Sequence, residues 1–156
     1  MARAGFYAVH GSKIRFGRDG RWYADGEPIT NDRIAALFAT HLRREADGRY
    51  VIRMGDEQAT IEVEDTAFVI VGLSVTPDGD VLVELNDHTT ERLDPSTLVA
   101  GTDNVLYCRV KDGSERARFL RPAYYQLAPY VVQQGSGFQL RIGTATYPIR
   151  AAAGSD

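Results

Sequence analysis

The chain is poor in the residues that build covalent and metal-centred sites: its 156 residues include one cysteine, Cys108, one tryptophan, Trp22, and three histidines, His10, His41 and His88. A lone cysteine excludes an internal disulfide framework and a cysteine-based zinc site. The histidines lie far apart, and none has a second histidine or cysteine two to four residues away, so no metal site is read here. Long apolar runs are also absent. The longest, Ala67–Leu73, has seven residues, against the ~20 that a membrane-spanning helix needs. Near the start, Arg3 is isolated and no apolar core follows it; the expectation is therefore a cytoplasmic protein without a secretory leader. The glycine-rich nucleotide loops, the nucleophile elbow G-x-S-x-G and the zinc signature H-E-x-x-H are all missing, so the sequence names no cofactor and no reaction. What is present is globular: 44% apolar and 25% charged residues, enough for one ordinary domain or two very small ones.

Charge is unevenly placed. The net value is −3. Residues 1–55 carry ten bases against six acids, residues 56–94 one base, Arg92, against eleven acids, and residues 105–150 seven bases against two acids. An acidic middle between two basic ends either neutralises itself in the fold or leaves basic surface for an anionic ligand. The acidic total argues against a nucleic-acid polymer as partner.

Along the chain, Ile14–Phe16 and Trp22-Tyr23 read as short strands around the Arg18-Asp19-Gly20 turn, with Asp25-Gly26 turning the chain again. A helix follows Pro28, capped by Thr30 or Asn31, with the stripe Ile34, Leu37, Phe38, His41, Leu42. Arg43 and Arg44 suit its last turn and Asp47-Gly48 its end. Tyr50–Met54 and the alternating stretch Gln58–Glu64 read as a hairpin, and Phe68–Val75 as a central strand covered on both faces. Pro77-Asp78-Gly79 is the strongest turn signal and is taken as the boundary between halves. Val81–Leu85, Thr89–Leu93 and Val105–Val110 are strands. A second helix starts at Pro122, with Tyr124, Leu127, Ala128, Val131 and Val132 as its stripe, Pro129 inside it and Gly135–Gly137 ending it. Phe138–Ile142 and Thr146–Ile149 form a last hairpin.

The two halves read alike. Arg18-Asp19-Gly20 parallels Lys111-Asp112-Gly113. An offset of 88 residues aligns Tyr50, Ile52, Met54, Gly55 and Ile61 with Phe138, Leu140, Ile142, Gly143 and Ile149. The expectation is an α+β duplication: residues 1–76 and 77–150 as two similar half-domains, each a mostly antiparallel curled sheet with one helix, then a frayed tail, 151–156. A cleft between halves is a common ligand location.

The order Gly20-Arg21-Trp22, Gly26-Glu27-Pro28-Ile29, Leu37-Phe38, Asp47-Gly48-Arg49-Tyr50 and Ile61-Glu62-Val63-Glu64-Asp65-Thr66-Ala67-Phe68 is distinctive. So is the later series Ser114–Arg118, Arg121-Pro122-Ala123-Tyr124-Tyr125-Gln126-Leu127 and Gly143–Ile149. Over roughly residues 13 to 149 this set resembles the bacterial domain-of-unknown-function family 1285. Pro129, inside a helix the family continues, and the Thr144-Ala145 turn, less glycine-rich and less aromatic than the family's, depart from it. The resemblance implies a duplicated α+β fold, a second half loosely similar to pleckstrin-homology folds, a ligand site between the halves and a signalling role. It implies no reaction.

Among chemical candidates, Arg116, Arg118 and Arg121 precede the second helix. With Tyr124 or Trp22 as a stacking surface they suit a small anionic, planar, possibly nucleotide-like ligand, because guanidinium pairs bidentately with phosphate or carboxylate. Asp65 either holds the bend before Phe68 or contacts the ligand. Cys108 alternates with Leu106 and Val110 and reads as a core thiol. The leading expectation is a non-enzymatic binding or sensor protein. The alternatives are a protein-interaction adaptor docking through strand edges, and a small hydrolase using Asp65 or Glu64 with a histidine.

Overall fold

The structure is a computed structural model and describes residues 13–152. His10 and the tail beyond Ala152 lie outside the described residues. The described chain is α+β, with two sheets and two α-helices, and divides into two compact units.

The first unit runs to Ala67 and includes Asn86–His88. Its elements are β1 (Ile14–Phe16), β2 (Trp22–Ala24), β3 (Glu27–Pro28), α1 (Asp32–Thr40), β4 (Leu42–Arg44), β5 (Tyr50–Met54) and β6 (Glu57–Val63). The sheet order is β3-β2-β1-β6-β5-β4, with β1 parallel to β6 and the other pairings antiparallel. Asp25 and Gly26 both take positive φ, 51° and 86°, which is what a two-residue turn between twisted strands requires. Asn31, not Thr30, caps α1: its side-chain oxygen accepts from the Arg33 and Ile34 N–H groups at 2.9 and 3.2 Å.

Helix α1 is shorter than its apolar stripe predicts. It stops at Thr40, and the His41 N–H closes it on the Leu37 and Phe38 carbonyls. Leu42, Arg43 and Arg44 form β4, with Leu42 facing Ile52 across β5. Asp47-Gly48 closes this hairpin instead of ending the helix, and Gly48 has φ 93°. A buried Leu42 satisfies either period; the free edge of β5 offered a ladder of backbone hydrogen bonds, and the ladder won. The core of this unit centres on three rings. Phe16 and Trp22 lie 4.7 Å apart and Trp22 and Phe38 5.4 Å apart, centroid to centroid, with exposures of 0%, 3% and 0%.

The second unit comprises β7 (Phe68–Val75), β8 (Val81–Leu85), β9 (Thr90–Arg92), β10 (Val99–Ala100), β11 (Leu106–Val110), β12 (Glu115–Phe119), α2 (Arg121–Leu127), β13 (Val131–Gln134), β14 (Gly137–Ile142) and β15 (Ala145–Ala151). Its sheet order is β13-β14-β15-β10-β11-β12-β7-β8-β9. Strand β7 is interior, as its apolar run implies, with Phe68, Val69 and Ile70 buried in succession. The division between units falls at Ala67/Phe68, not at Pro77-Asp78-Gly79. That turn closes the β7–β8 hairpin, which keeps both strands in one sheet. Asn86–His88 joins the first unit, where the Asn86 side chain donates to the Ala67 carbonyl at 3.3 Å.

Helix α2 also ends early. It begins at Arg121, with Pro122 in its first turn, and gives way after Leu127 to a tight turn through Pro129. Val131 and Val132, expected on the helix stripe, lie in β13, and Gly135 turns β13 into β14. Proline has no N–H to continue the helix, so the residues beyond it pair as strand. Ala151 is not tail: it is the last residue of β15 and pairs with Ala100.

The duplication is present, with one half of its alignment shifted. Tyr50 faces Ile61 and Met54 faces Glu57, as Phe138 faces Ile149 and Ile142 faces Ala145, so the offset of 88 holds through this hairpin. The Arg18-Asp19-Gly20 turn, however, corresponds to Thr102-Asp103-Asn104 and not to Lys111-Asp112-Gly113. Phe16 faces Trp22 as Ala100 faces Leu106, and Arg15 faces Tyr23 as Val99 faces Tyr107. The Gly17 N–H closes the first turn on Arg21 at 2.8 Å, and the Gly101 N–H closes the second on Val105 at 2.7 Å. Strand β1 runs parallel to β6 as β10 does to β15. The series β12-β11-β10-β15-β14-β13 therefore repeats β3-β2-β1-β6-β5-β4, and the second unit adds β7-β8-β9 beyond β12. The Asp-Gly motif misled because turns are built from few residue types; Asn104 at φ 60° does the work of Gly20 at φ 80°.

Candidate functional site

A pocket of about 200 Å³ opens in the second unit. Its floor comes from β10, β11 and β15, through Ala100, Leu106 and Ile149. Tyr124 and Ala128 from α2 and the turn after it, with Val131 and Phe138, make the walls and rim, and Asn104 adds an amide at one side. Tyr124 and Phe138 are 36% and 48% exposed, unusual for large rings, so the mouth is aromatic. Tyr125, beside Tyr124 at a ring distance of 6.1 Å, is 64% exposed. The chemistry on offer is apolar contact and ring stacking, with the Tyr124 hydroxyl and the Asn104 amide as hydrogen-bonding groups. Among the described residues no three histidine, cysteine, aspartate or glutamate side chains group as a metal site. No helix of the described residues is long and apolar enough to cross a membrane.

Of the six site residues read from sequence, Tyr124 is the one that lines this pocket. Arg116 and Arg118 meet elsewhere, on Tyr107. The Arg116 guanidinium lies 4.4 Å from that ring's centroid, and the Arg118 Nη1 donates to its hydroxyl at 3.4 Å. Arg121 is exposed at the start of α2, one turn before Tyr124 on the same helix face. Trp22 is 3% exposed in the first unit's core, in contact with Phe16 and Phe38, so its ring offers a ligand no open surface. Asp65 stands half-buried in the bend before β7.

Its neighbour Glu64 is the organised carboxylate. Glu64 Oε1 accepts from the Arg18 N–H at 2.8 Å and from Arg15 Nη1 at 3.2 Å, and Oε2 from Arg18 Nε at 3.1 Å. The Arg18 N–H above all, with both guanidiniums, outweighs desolvation and holds this carboxyl below the usual range. The group fastens the β1–β2 turn to the end of β6. His41, expected on the helix stripe, directs Nδ1 to the Leu37 carbonyl at 2.9 Å and to the Thr40 hydroxyl at 3.2 Å. Each of these groups therefore has a local structural task. A folded-state pKa below the unfolded value adds stability that is present above the ordinary carboxylate pKa, ~4, and is lost as pH falls through the lower folded value. Glu64→Gln is expected to flatten the acid limb of the first unit's melting temperature while costing at most about 1 kcal/mol near pH 7, because the pair is partly exposed. An unchanged acid limb on pH-dependent thermal melting would remove Glu64 from this role.

Sequence reading missed the other lining residues, from Ala100 and Leu106 to Val131, Phe138 and Ile149, since apolar residues carry no chemical signature, and it missed Asn104 because a turn asparagine has an ordinary structural use. A correctly registered repeat was the one signal that could have found them.

Residues 8–66 match the model of the N-terminal domain of the domain-of-unknown-function family DUF1285, a span that ends one residue before the first unit's main segment does. No curated protein matches the chain. Two solved structures share its fold. A DUF1285 family protein from Silicibacter pomeroyi DSS-3 superposes with a TM-score of 0.68 at 22% identity, over 88% of this chain and 79% of its own. A DUF1285 family protein from Shewanella baltica OS155 superposes with a TM-score of 0.59 at 22% identity, over 77% of this chain and 93% of its own.

Proposed function

We propose that this chain, which carries a DUF1285 N-terminal domain over residues 8–66, is a non-enzymatic binding protein that takes a small, mainly apolar molecule into the pocket of its second unit. The observation that carries the reading is the pocket itself, apolar at its floor and aromatic at its rim. Its lining is apolar but for the Asn104 amide and the Tyr124 hydroxyl, although most of these residues are partly open to solvent. A few polar groups at the edge of an apolar cavity are the common design of a ligand site. The anion expected from the arginines becomes a substituent rather than the body of the ligand. Arg116 and Arg118 are engaged on Tyr107, whereas Arg121, a helical turn from Tyr124, would be the group to meet a carboxylate or phosphate substituent. A signalling role would then follow from occupancy, with α2 as the element that reports it.

The test is a thermal-shift screen of small organic acids and neutral ring compounds against the full chain and against Ala100→Phe, which places a ring on the pocket floor. A true ligand at 100 times its dissociation constant adds about 2.7 kcal/mol of stability. The expected result is a shift of several degrees in the native chain that disappears in Ala100→Phe. Ligand shifts of equal size in both proteins would place binding elsewhere.

A further inference from the structure

The repeat shows what the pocket is missing. By strand pairing, Ala100 stands where Phe16 stands in the first unit, and Leu106 where Trp22 stands. The first turn of each helix closes alike, Ala35 on Asn31 and Tyr124 on Leu120, which sets Leu127 against Phe38. Each position of the first unit's three-ring cluster is thus occupied by a smaller residue in the second. The same alignment sets Tyr124 where Ala35 stands, but that ring lies 36% exposed against the pocket, and Leu127 is fully buried, so the space is left at the Ala100 and Leu106 positions. Phe16, Ala39 and Ile61 are 0%, 4% and 6% exposed, whereas their counterparts Ala100, Ala128 and Ile149 are partly or fully open and line the pocket.

Resting on the reading of this pocket as a binding site, we infer that its ligand is a planar aromatic ring system that replaces the ring cluster the first unit builds from its own side chains. The volume agrees: an apolar cavity of ~150 Å³ stays dry and accepts benzene, so about 200 Å³ accommodates a single ring or a compact fused pair. The lining agrees as well, since it includes the two partly exposed rings Tyr124 and Phe138, and aromatic pairs gain from stacked or edge-to-face contact. An aliphatic guest of equal volume would forgo those stacking contacts.

The experiment titrates the full chain with indole and, separately, with cyclohexanol, following the methyl resonances of Ala100, Ala128 and Leu106. Saturable ring-current shifts with indole, and binding at least tenfold weaker with cyclohexanol, are expected. Equal or tighter binding of cyclohexanol would overturn the aromatic class while leaving the pocket as a site. Silence with both probes would overturn the inference and the reading beneath it together. A double variant, Ala100→Phe with Leu106→Trp, restores the first unit's pattern. It is expected to lose indole binding and to melt at a higher temperature than the native chain. If it folds and still binds indole unchanged, the inference is wrong. Where it does not fold, the single Ala100→Phe gives the same reading.

Discussion

Phe16→Ala is expected to lower the stability of the first unit by about 3–5 kcal/mol, the range for deleting a fully buried phenylalanine ring. Phe16 is 0% exposed, and its ring lies 4.7 Å from that of Trp22, so truncation leaves a void beside a second large ring that is held from its other side by Phe38. The surrounding groups have little room to collapse. Phe16 pairs with Trp22 across β1 and β2 and with Val63 on β6, and the parallel β1–β6 contact joins the two three-stranded antiparallel groups of this sheet. Phe138→Ala, by contrast, removes a ring that is 48% exposed and is expected to cost about 1 kcal/mol or less. The chain has a single tryptophan, and it sits in this cluster, so the emission of Trp22 during urea unfolding reports the first unit directly. Near-equal costs for Phe16→Ala and Phe138→Ala would mean that the three-ring cluster does not hold the unit together.

A second large effect concerns the lone thiol. Cys108 is 1% exposed on β11, and burial above all, with the nearby Glu91 carboxylate, pushes its pKa up to about 12. An ordinary thiol titrates near ~8.5, so at neutral pH Cys108 holds about three orders of magnitude less thiolate than a free cysteine, before shielding is counted. Labelling by a disulfide reagent should therefore be negligible in the native chain and should appear with the urea transition of the second unit. Trp22 and Cys108 then report one unit each in the same titration. Coincident transitions would show that the units unfold together, and separated ones that each unfolds alone. Rapid native-state labelling would contradict the burial of β11.

Strands were the most legible part of the sequence. Tyr50–Met54, Phe68–Val75 and Val81–Leu85 read from alternation or apolar runs match the observed elements residue for residue. Both helices were found, and both were drawn too long at the C-terminal end. Leu42 and Val131 are apolar residues at helical spacing whose backbones had neighbouring strands to pair with, and periodicity cannot see a neighbour. Three of the shortest strands, β3, β4 and β10, went unread for the same reason: with no alternation to mark them, they are created by the strand beside them. The candidate site was less legible. Charged residues draw attention because their chemistry is explicit, yet Arg116, Arg118 and Glu64 are largely engaged in structural contacts. Apart from Tyr124, which was read as a stacking residue, and Asn104, the pocket is lined by alanines, aliphatic residues and Phe138, which carry no chemical mark in the sequence.

The sequence alone determined the α+β class, a helix capped at Thr30 or Asn31, the Asp25-Gly26 turn and the offset that relates the two late hairpins, because each rests on residues adjacent or nearly adjacent in the chain. The tertiary structure decided where one unit ends, which turn answers to which in the repeat, and that one unit fills its centre with rings while the other leaves it open. Those outcomes depend on which strands pair, and pairing brings together residues such as Ala100 and Ile149 whose types carry no mark of one another.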